Sequence, residues 1–358
     1  LEIPLYFAPK TFDEPGTMRR SAAFPIVAEE CAAVQDAAGL LDISGFARYR
    51  VSGPGAEAWL DTLVACRLPG PGRIRLAPML GDDGRLKGDL TVFNWGDGTW
   101  WLMGSYYLRA FHMRWFERSL GADVTIEDIS DAVSGFSVNG PAARAVLEAV
   151  SDTDLTGLRM MSCGTADLGL HRVRIARLSL SGELAYELSC PAAEHAGLRR
   201  LLLKAGAEYG LREIGFQAMF SLRLEKSIGI WNAEFTQGYT PAMTGLDRWI
   251  AWDKGSFTGK PAAQAAQAPD RVLTMLEIDA ADADASGFEP VWMGERMVGM
   301  TTSGAFGHRL GRSLAMAFVE PGCRTPGTAL DVHVVGEKRS ATVIEPSPYD
   351  PGGARMRS

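Results

Sequence analysis

The stretch Ile74-Arg75-Leu76-Ala77-Pro78-Met79-Leu80-Gly81-Asp82-Asp83-Gly84-Arg85-Leu86-Lys87-Gly88-Asp89-Leu90-Thr91-Val92-Phe93-Asn94-Trp95 decides the fold class. Residues 74–80 and 86–95 are apolar, strand-forming runs, and Asp82-Asp83-Gly84 between them is turn material. A second turn, Gly96-Asp97-Gly98, leads into 100–104, so three strands follow one another with no helix between them. That meander excludes a βαβ succession and predicts an α+β assembly.

Helices are expected on either side of the meander. Val27, Cys31, Val34 and Ala38 recur at helical spacing, with Gly39 as a stop signal. The turn Ser52-Gly53-Pro54-Gly55 opens a helix carrying Trp59, Leu60 and Leu63, and 106–120 reads as amphipathic. Further on, 133–138 is strand-like, a helix follows Asn139-Gly140-Pro141, and 173–180 and 185–189 form a hairpin about Ser181-Gly182-Glu183-Leu184. Residues 193–209 and 216–226 are expected helices. Ala, Gln and Pro dominate 262–269, which reads as a linker. The strand-rich segments beyond it predict a small β-barrel or jelly-roll domain.

Composition narrows the function. The 358 residues are 46% hydrophobic and 22% charged, in the range of a globular chain of two or three domains. Lys and Arg number 36 against 43 Asp and Glu, a net charge of −7, so no basic surplus points to nucleic acid. No apolar stretch nears the roughly 18 residues of a membrane span. The start, Leu1-Glu2-Ile3-Pro4-Leu5-Tyr6-Phe7, lacks a basic signal region. Without an initiator methionine it reads as a processed or excised piece of a longer chain. Cys31, Cys66, Cys163, Cys190 and Cys323 show no C-x-x-C spacing, so no metal clamp is indicated. Isolated cysteines of this kind fit a cytoplasmic protein.

Dinucleotide, Walker and nucleophile-elbow signatures are absent. The remaining chemistry lies in carboxylates beside apolar residues. Asp89 stands where a strand begins: burial there suits a proton-handling acid, and a turn aspartate bonded to its own backbone is the plainer alternative. Glu187, in Ala185-Tyr186-Glu187-Leu188, could accept paired N–H bonds from a guanidine-like ring edge, or pair with a cross-strand cation. Arg223 and Glu225 fit a surface or interdomain ion pair. Trp231, Tyr239, Trp249 and Trp252 are either core or a stacking wall for a heterocycle.

Taken in order, 5–9, 84–92, 181–188, 218–226, Tyr239-Thr240-Pro241, Gly245-Leu246-Asp247, Phe257-Thr258-Gly259-Lys260 and Thr302-Ser303-Gly304 resemble the folate-dependent aminomethyltransferase (glycine-cleavage T-protein) family. The closest resemblance is to the folate-binding C-terminal portion of dimethylglycine and sarcosine dehydrogenases. It implies a three-domain cloverleaf around a central folate site, divided here as 1–140, 141–265 and 266–358. It also implies tetrahydrofolate as cofactor, a methylated amine-type donor, and a flavin-dependent dehydrogenase subunit or domain as partner. Asp89 takes the place of the family's catalytic aspartate, and Glu187 that of the glutamate gripping the pterin edge. Tyr186, Arg223, Trp231 and Tyr239 complete the expected cofactor-binding set. The chain departs from the T-protein pattern at Ala218-Met219-Phe220, and Leu76 and Leu180 stand where tyrosines are usual. These departures keep two alternatives open: a non-catalytic folate-binding protein of the same fold, and an O- or S-methyl demethylase using tetrahydrofolate.

Overall fold

Alternation along Leu86–Asn94 gives this strand two faces. Leu90 and Val92 enter a core with Tyr49, Val51, Ala77, Met79 and Leu102, covered by the helices Ala56–Leu63 and Arg109–Glu117. Asp89, Thr91 and Phe93 point the other way. The computed structural model describes residues 3–358. In it, this strand pairs antiparallel with Arg73–Leu80 and Trp100–Ser105. The latter pairs with Phe46–Ser52, and Thr125–Asp128 closes that edge.

A second half-sheet runs Leu211–Glu213, Ala38–Asp42, Val133–Asn139, Ala185–Pro191, His171–Arg177, Ser162–Leu168. The helices Ala143–Glu148 and His195–Gly206 lie on its outer side, over Phe136, Val138, Tyr186 and Leu188. One rung, Arg73 opposite Ser162, joins the two halves into a sheet of 11 strands. Their inner faces meet in a shared apolar cluster: Ile74, Phe93, Trp101 and Met103 from one half, Cys163 and Ala176 from the other.

Beyond the sheet, Val272–Ile278, Pro290–Met293, Arg296–Gly307, Arg312–Val319, Ala329–Val334 and Glu337–Ile344 form a closed six-stranded barrel. The fold is thus the expected α+β type, and its last domain is a barrel and not a jelly roll. The remaining differences from the sequence reading are local. The first helix ends at Asp36, and Ala38–Asp42 and Phe46–Ser52 are strands that the sequence reading lacked. The expected linker begins with a short helix, Lys260–Ala265, whose Ala263 is buried against Leu80 and Leu86. Gly84 takes φ +71°, and a Cβ there would sit 2.5 Å from the Ala263 nitrogen, so this turn needs glycine on two counts. Residues 133–139 pair with strands from both sides of the 140/141 division, so one half-sheet draws on both segments. All five cysteines are free and buried. No helix among the described residues is long and apolar enough to cross a membrane.

Three buried glutamates bind the parts together. Glu234 accepts from Arg223 Nη1 at 2.7 Å, Thr302 Oγ1 at 2.7 Å and Ser303 Oγ at 2.5 Å, fastening the barrel. Glu225 accepts from Gln35 Nε2 and from the backbone N–H groups of Arg309 and Leu310. Glu183 receives Tyr349 Oη and Arg355 Nε, each at 2.7 Å, from the C-terminal segment. Removing one partner from such a pair strands a charge away from water. Glu234→Ala is expected to cost about 3–5 kcal/mol, read as a lower urea midpoint, with Glu234→Gln in between.

Candidate functional site

Asp89 and Glu187 lie on the inner faces of opposite half-sheets. Asp89 is paired across the ladder with Pro78, and Glu187 with Ser137 and Ala176. Each keeps a partly accessible side chain while being set deep among protein atoms. Burial pushes the Asp89 carboxyl up to about 7. It pushes Glu187 up to about 7 as well, and the Arg48 charge works against that rise. Among the described residues, no side chain donates a hydrogen bond to either carboxyl. Asp89 has only its own backbone N–H and Glu187 only the nearby Arg48 charge to offset burial, and acids so costly to ionise are rarely kept for stability.

Arg48 was not singled out from sequence, and it crosses between the halves. It is fully buried, on a strand of the Asp89 half. Its Nη2 donates to the Ile43 carbonyl at 2.8 Å and its Nη1 to the Phe46 carbonyl at 3.1 Å. Nε has no partner. A Cβ on Gly135 would lie 3.3 Å from Nη2, so glycine makes room for the guanidinium on the Glu187 side. Burial draws Arg48 down to about 10, and Glu187 is the first charge opposing that fall. Beside Glu187 runs a buried polar chain: Ser181 Oγ donates to Asn139 Oδ1, and Asn139 Nδ2 to Ser137 Oγ, both at 3.0 Å.

The other expected binding residues divide. Tyr186 neighbours Glu187 in sequence, so strand alternation sends it to the opposite face; it is buried in the outer core and its hydroxyl takes Arg144 Nε at 3.0 Å. Arg223 is buried against Glu234 and stacks over Phe220 at 4.0 Å, so it fastens the barrel and does not reach the carboxylates. Neither side chain lies beside Asp89 or Glu187 on the inner faces. Trp231 is buried in a cluster with Leu80 and Leu86, against which Leu76 also packs. It therefore backs the wall on the Asp89 side. Tyr239 is half-buried, its ring 4.4 Å from Phe318, and its carbonyl accepts the Leu86 N–H at the start of the Asp89 strand. Leu76 shares the inner face with Asp89, and Leu180 packs with Phe46, Leu41 and Ile43. A separate groove of about 400 Å³ opens between the N-terminal arm, the helix Phe216–Glu225 and the barrel. It contains neither carboxylate, and its Arg20 is already paired with Asp284. The two acids without side-chain donors, and not this groove, mark the candidate site.

Comparison with known proteins gives concordant results. Residues 1–254 match the GCVT N-terminal domain, and 271–350 the glycine cleavage T-protein C-terminal barrel domain. An aminomethyltransferase of Saccharopolyspora erythraea is 32% identical over 340 residues, covering 93% of each chain. The mitochondrial dimethylglycine dehydrogenase of Rattus norvegicus is 31% identical over 94% of this chain, which spans only 41% of that protein's length. The glycine cleavage system aminomethyltransferase T of Bartonella henselae superposes with a TM-score of 0.84 at 20% identity, covering 95% of this chain and 94% of that one.

The raised acids have a consequence for stability. Each binds its proton more tightly in the folded chain than in the unfolded one, so folded-state stability falls as the pH rises from about 4 to about 7. In thermal melts without ligand, Asp89→Asn is expected to exceed the parent by about 2 °C or more at pH 8, with no difference below pH 4. Glu187→Gln gains less, because it also deprives Arg48 of a countercharge.

Proposed function

The chain belongs to the glycine cleavage T-protein family, and on that footing we propose that it transfers a one-carbon unit from a methylated amine to tetrahydrofolate. The observation that carries this reading is the pair of inner-face carboxyls without a side-chain donor, Asp89 and Glu187, both poised near neutral pH.

The residues present fit a reduced pterin. A pterin edge offers adjacent N–H donors, and Glu187 is a carboxyl lacking any donor from its own chain. Once ionised it accepts two N–H bonds in parallel, and Arg48 behind it steadies the negative charge. Ser137, directly across the ladder, and Asn139 supply further polar contacts. When bound, tetrahydrofolate supplies the nitrogens that accept the carbon. Asp89 then holds or removes the proton that such a nitrogen must lose. A carboxyl near 7 is suited to that task, since it is available as base at working pH and still returns the proton readily. The apolar cluster of Phe93, Trp101 and Met103 between the half-sheets limits water near a hydrolysable donor carbon. The likeness to dimethylglycine dehydrogenase supports an N-methylated amino acid as donor, delivered by a flavin-dependent dehydrogenase subunit or domain.

Leu76 and Leu180 favour a second reading, folate binding without transfer, because both positions are aliphatic and offer no ring for stacking. Tetrahydrofolate titration followed by a donor panel read by mass spectrometry separates the two. Folate binding with no product from any donor would sink the transferase reading. Asp89→Asn should nearly abolish transfer while leaving folate bound. In the parent the rate should climb with pH through about 7 as Asp89 loses its proton, and this limb should vanish in the variant. Glu187→Gln should chiefly weaken folate binding, by about tenfold or more; an unchanged dissociation constant argues against the anchor.

A further inference from the structure

The strand that carries Asp89 lacks a neighbour where it matters. Its ladder to Trp100–Ser105 stops at Thr91 opposite Met103. Lys87, Gly88 and Asp89 therefore have a strand partner only on the Arg73–Leu80 side, and a register shift between Met79 and Leu80 disturbs even that one. A backbone so placed would be expected to wander, and with it the carboxyl.

A histidine fills the gap. His112, on the helix Arg109–Glu117, is fully buried behind this strand. Its Nε2 lies 3.1 Å from the Lys87 carbonyl and its Nδ1 3.2 Å from the Tyr49 hydroxyl. The carbonyl can only accept, so Nε2 carries the proton and Nδ1 accepts from Tyr49. Burial draws the imidazole down to about 4, so the ring is neutral and this single tautomer is held. Two glycines make the space. A Cβ on Gly88 would lie 2.9 Å from Nε2, and one on Gly104, across the missing rungs, 3.3 Å from Cε1. Phe116 stacks on the ring at 5.7 Å and the ring of Tyr49 meets it edge-on at 5.8 Å, so the imidazole has little freedom.

We propose that His112 is a positioning residue for Asp89: the imidazole takes the Lys87 carbonyl in place of the absent strand and fixes the backbone from which the carboxyl projects into the site. His112 faces the outer core and does not meet substrate. The inference rests on the role given to Asp89, and its test is arranged so that the two fail separately.

The full chain is labelled with ¹³C at aspartate carboxyls, and the Asp89 signal, assigned with Asp89→Asn, is titrated by NMR without ligand. His112→Asn shortens the side chain so that its amide cannot span the distance to Lys87, whereas His112→Gln places an amide nitrogen near the original Nε2. In His112→Asn the Asp89 midpoint is expected to fall by about one pH unit as water gains access, and in His112→Gln to stay with the parent. With tetrahydrofolate and a methylated amine that the parent turns over, His112→Asn should lower kcat by about tenfold with KM for tetrahydrofolate unchanged, and His112→Gln should recover most of it. Coincident midpoints in all three proteins, or equal losses in both variants, overturn the proposal. Shifted midpoints in a chain that transfers nothing support the positioning role and sink the transferase reading. If His112→Asn does not fold, Tyr49→Phe removes only the hydroxyl that orients the ring. It should give a smaller shift of the same sign, and no shift there overturns the proposal.

Discussion

Everything in the candidate site follows from pressing two half-sheets together by their inner faces while joining them through one rung. Helices cover the outer faces, so an inner-face polar side chain must find its partner from its own half-sheet or from across the gap. Most positions there are apolar and are satisfied by packing. Arg48, Asp89 and Glu187 are charged exceptions, as is Arg174, which pairs with Asp97 and lies over Trp95 and Trp101. Arg48 finds its partners within the protein, in the carbonyls of Ile43 and Phe46. The two acids are left to titrate near neutrality. Their alignment is a property of the sheet pairing and not of any local motif.

The motif residues outside this gap serve another purpose. Glu183, Glu225 and Glu234, together with Arg223, Lys226, Thr302 and Ser303, join the sheet, the barrel and the C-terminal segment through buried hydrogen bonds. Lys226 Nζ, for example, donates to the carbonyls of Tyr349 and Asp350. All of them except Glu234 lie in the stretches that carry the family resemblance, and they serve there as fasteners.

Much of the fold was legible in the sequence, because the meander and the barrel follow period-two alternation and turn chemistry. The strand Phe46–Ser52 escaped because arginines occupy alternate positions in it, and nothing local reveals that Arg48 is buried while Arg50 is exposed. Ala38–Asp42 escaped because its partners lie about a hundred residues or more away. The candidate site was legible only in part. Asp89 and Glu187 stood out as acids among apolar residues, and the resemblance decided between their readings. Tyr186 lies on the face opposite Glu187, since adjacent strand residues cannot share a face. His112 carried no signal, because its task is to replace a rung that only the pairing shows to be missing.

The parallel pairing of Ala38–Asp42 with Leu211–Glu213 has a further meaning during synthesis. An early strand that ends beside a late one cannot complete its half-sheet until the intervening chain has left the ribosome. Until then its apolar edge has no lasting partner, and the Asp89 half, whose strands fall within residues 46–128, can pair first. One edge of the earliest strand therefore has its partner in Val133–Asn139, and the other must wait for Leu211–Glu213. A chaperone that shields this strand would act long before either carboxyl meets its counterpart.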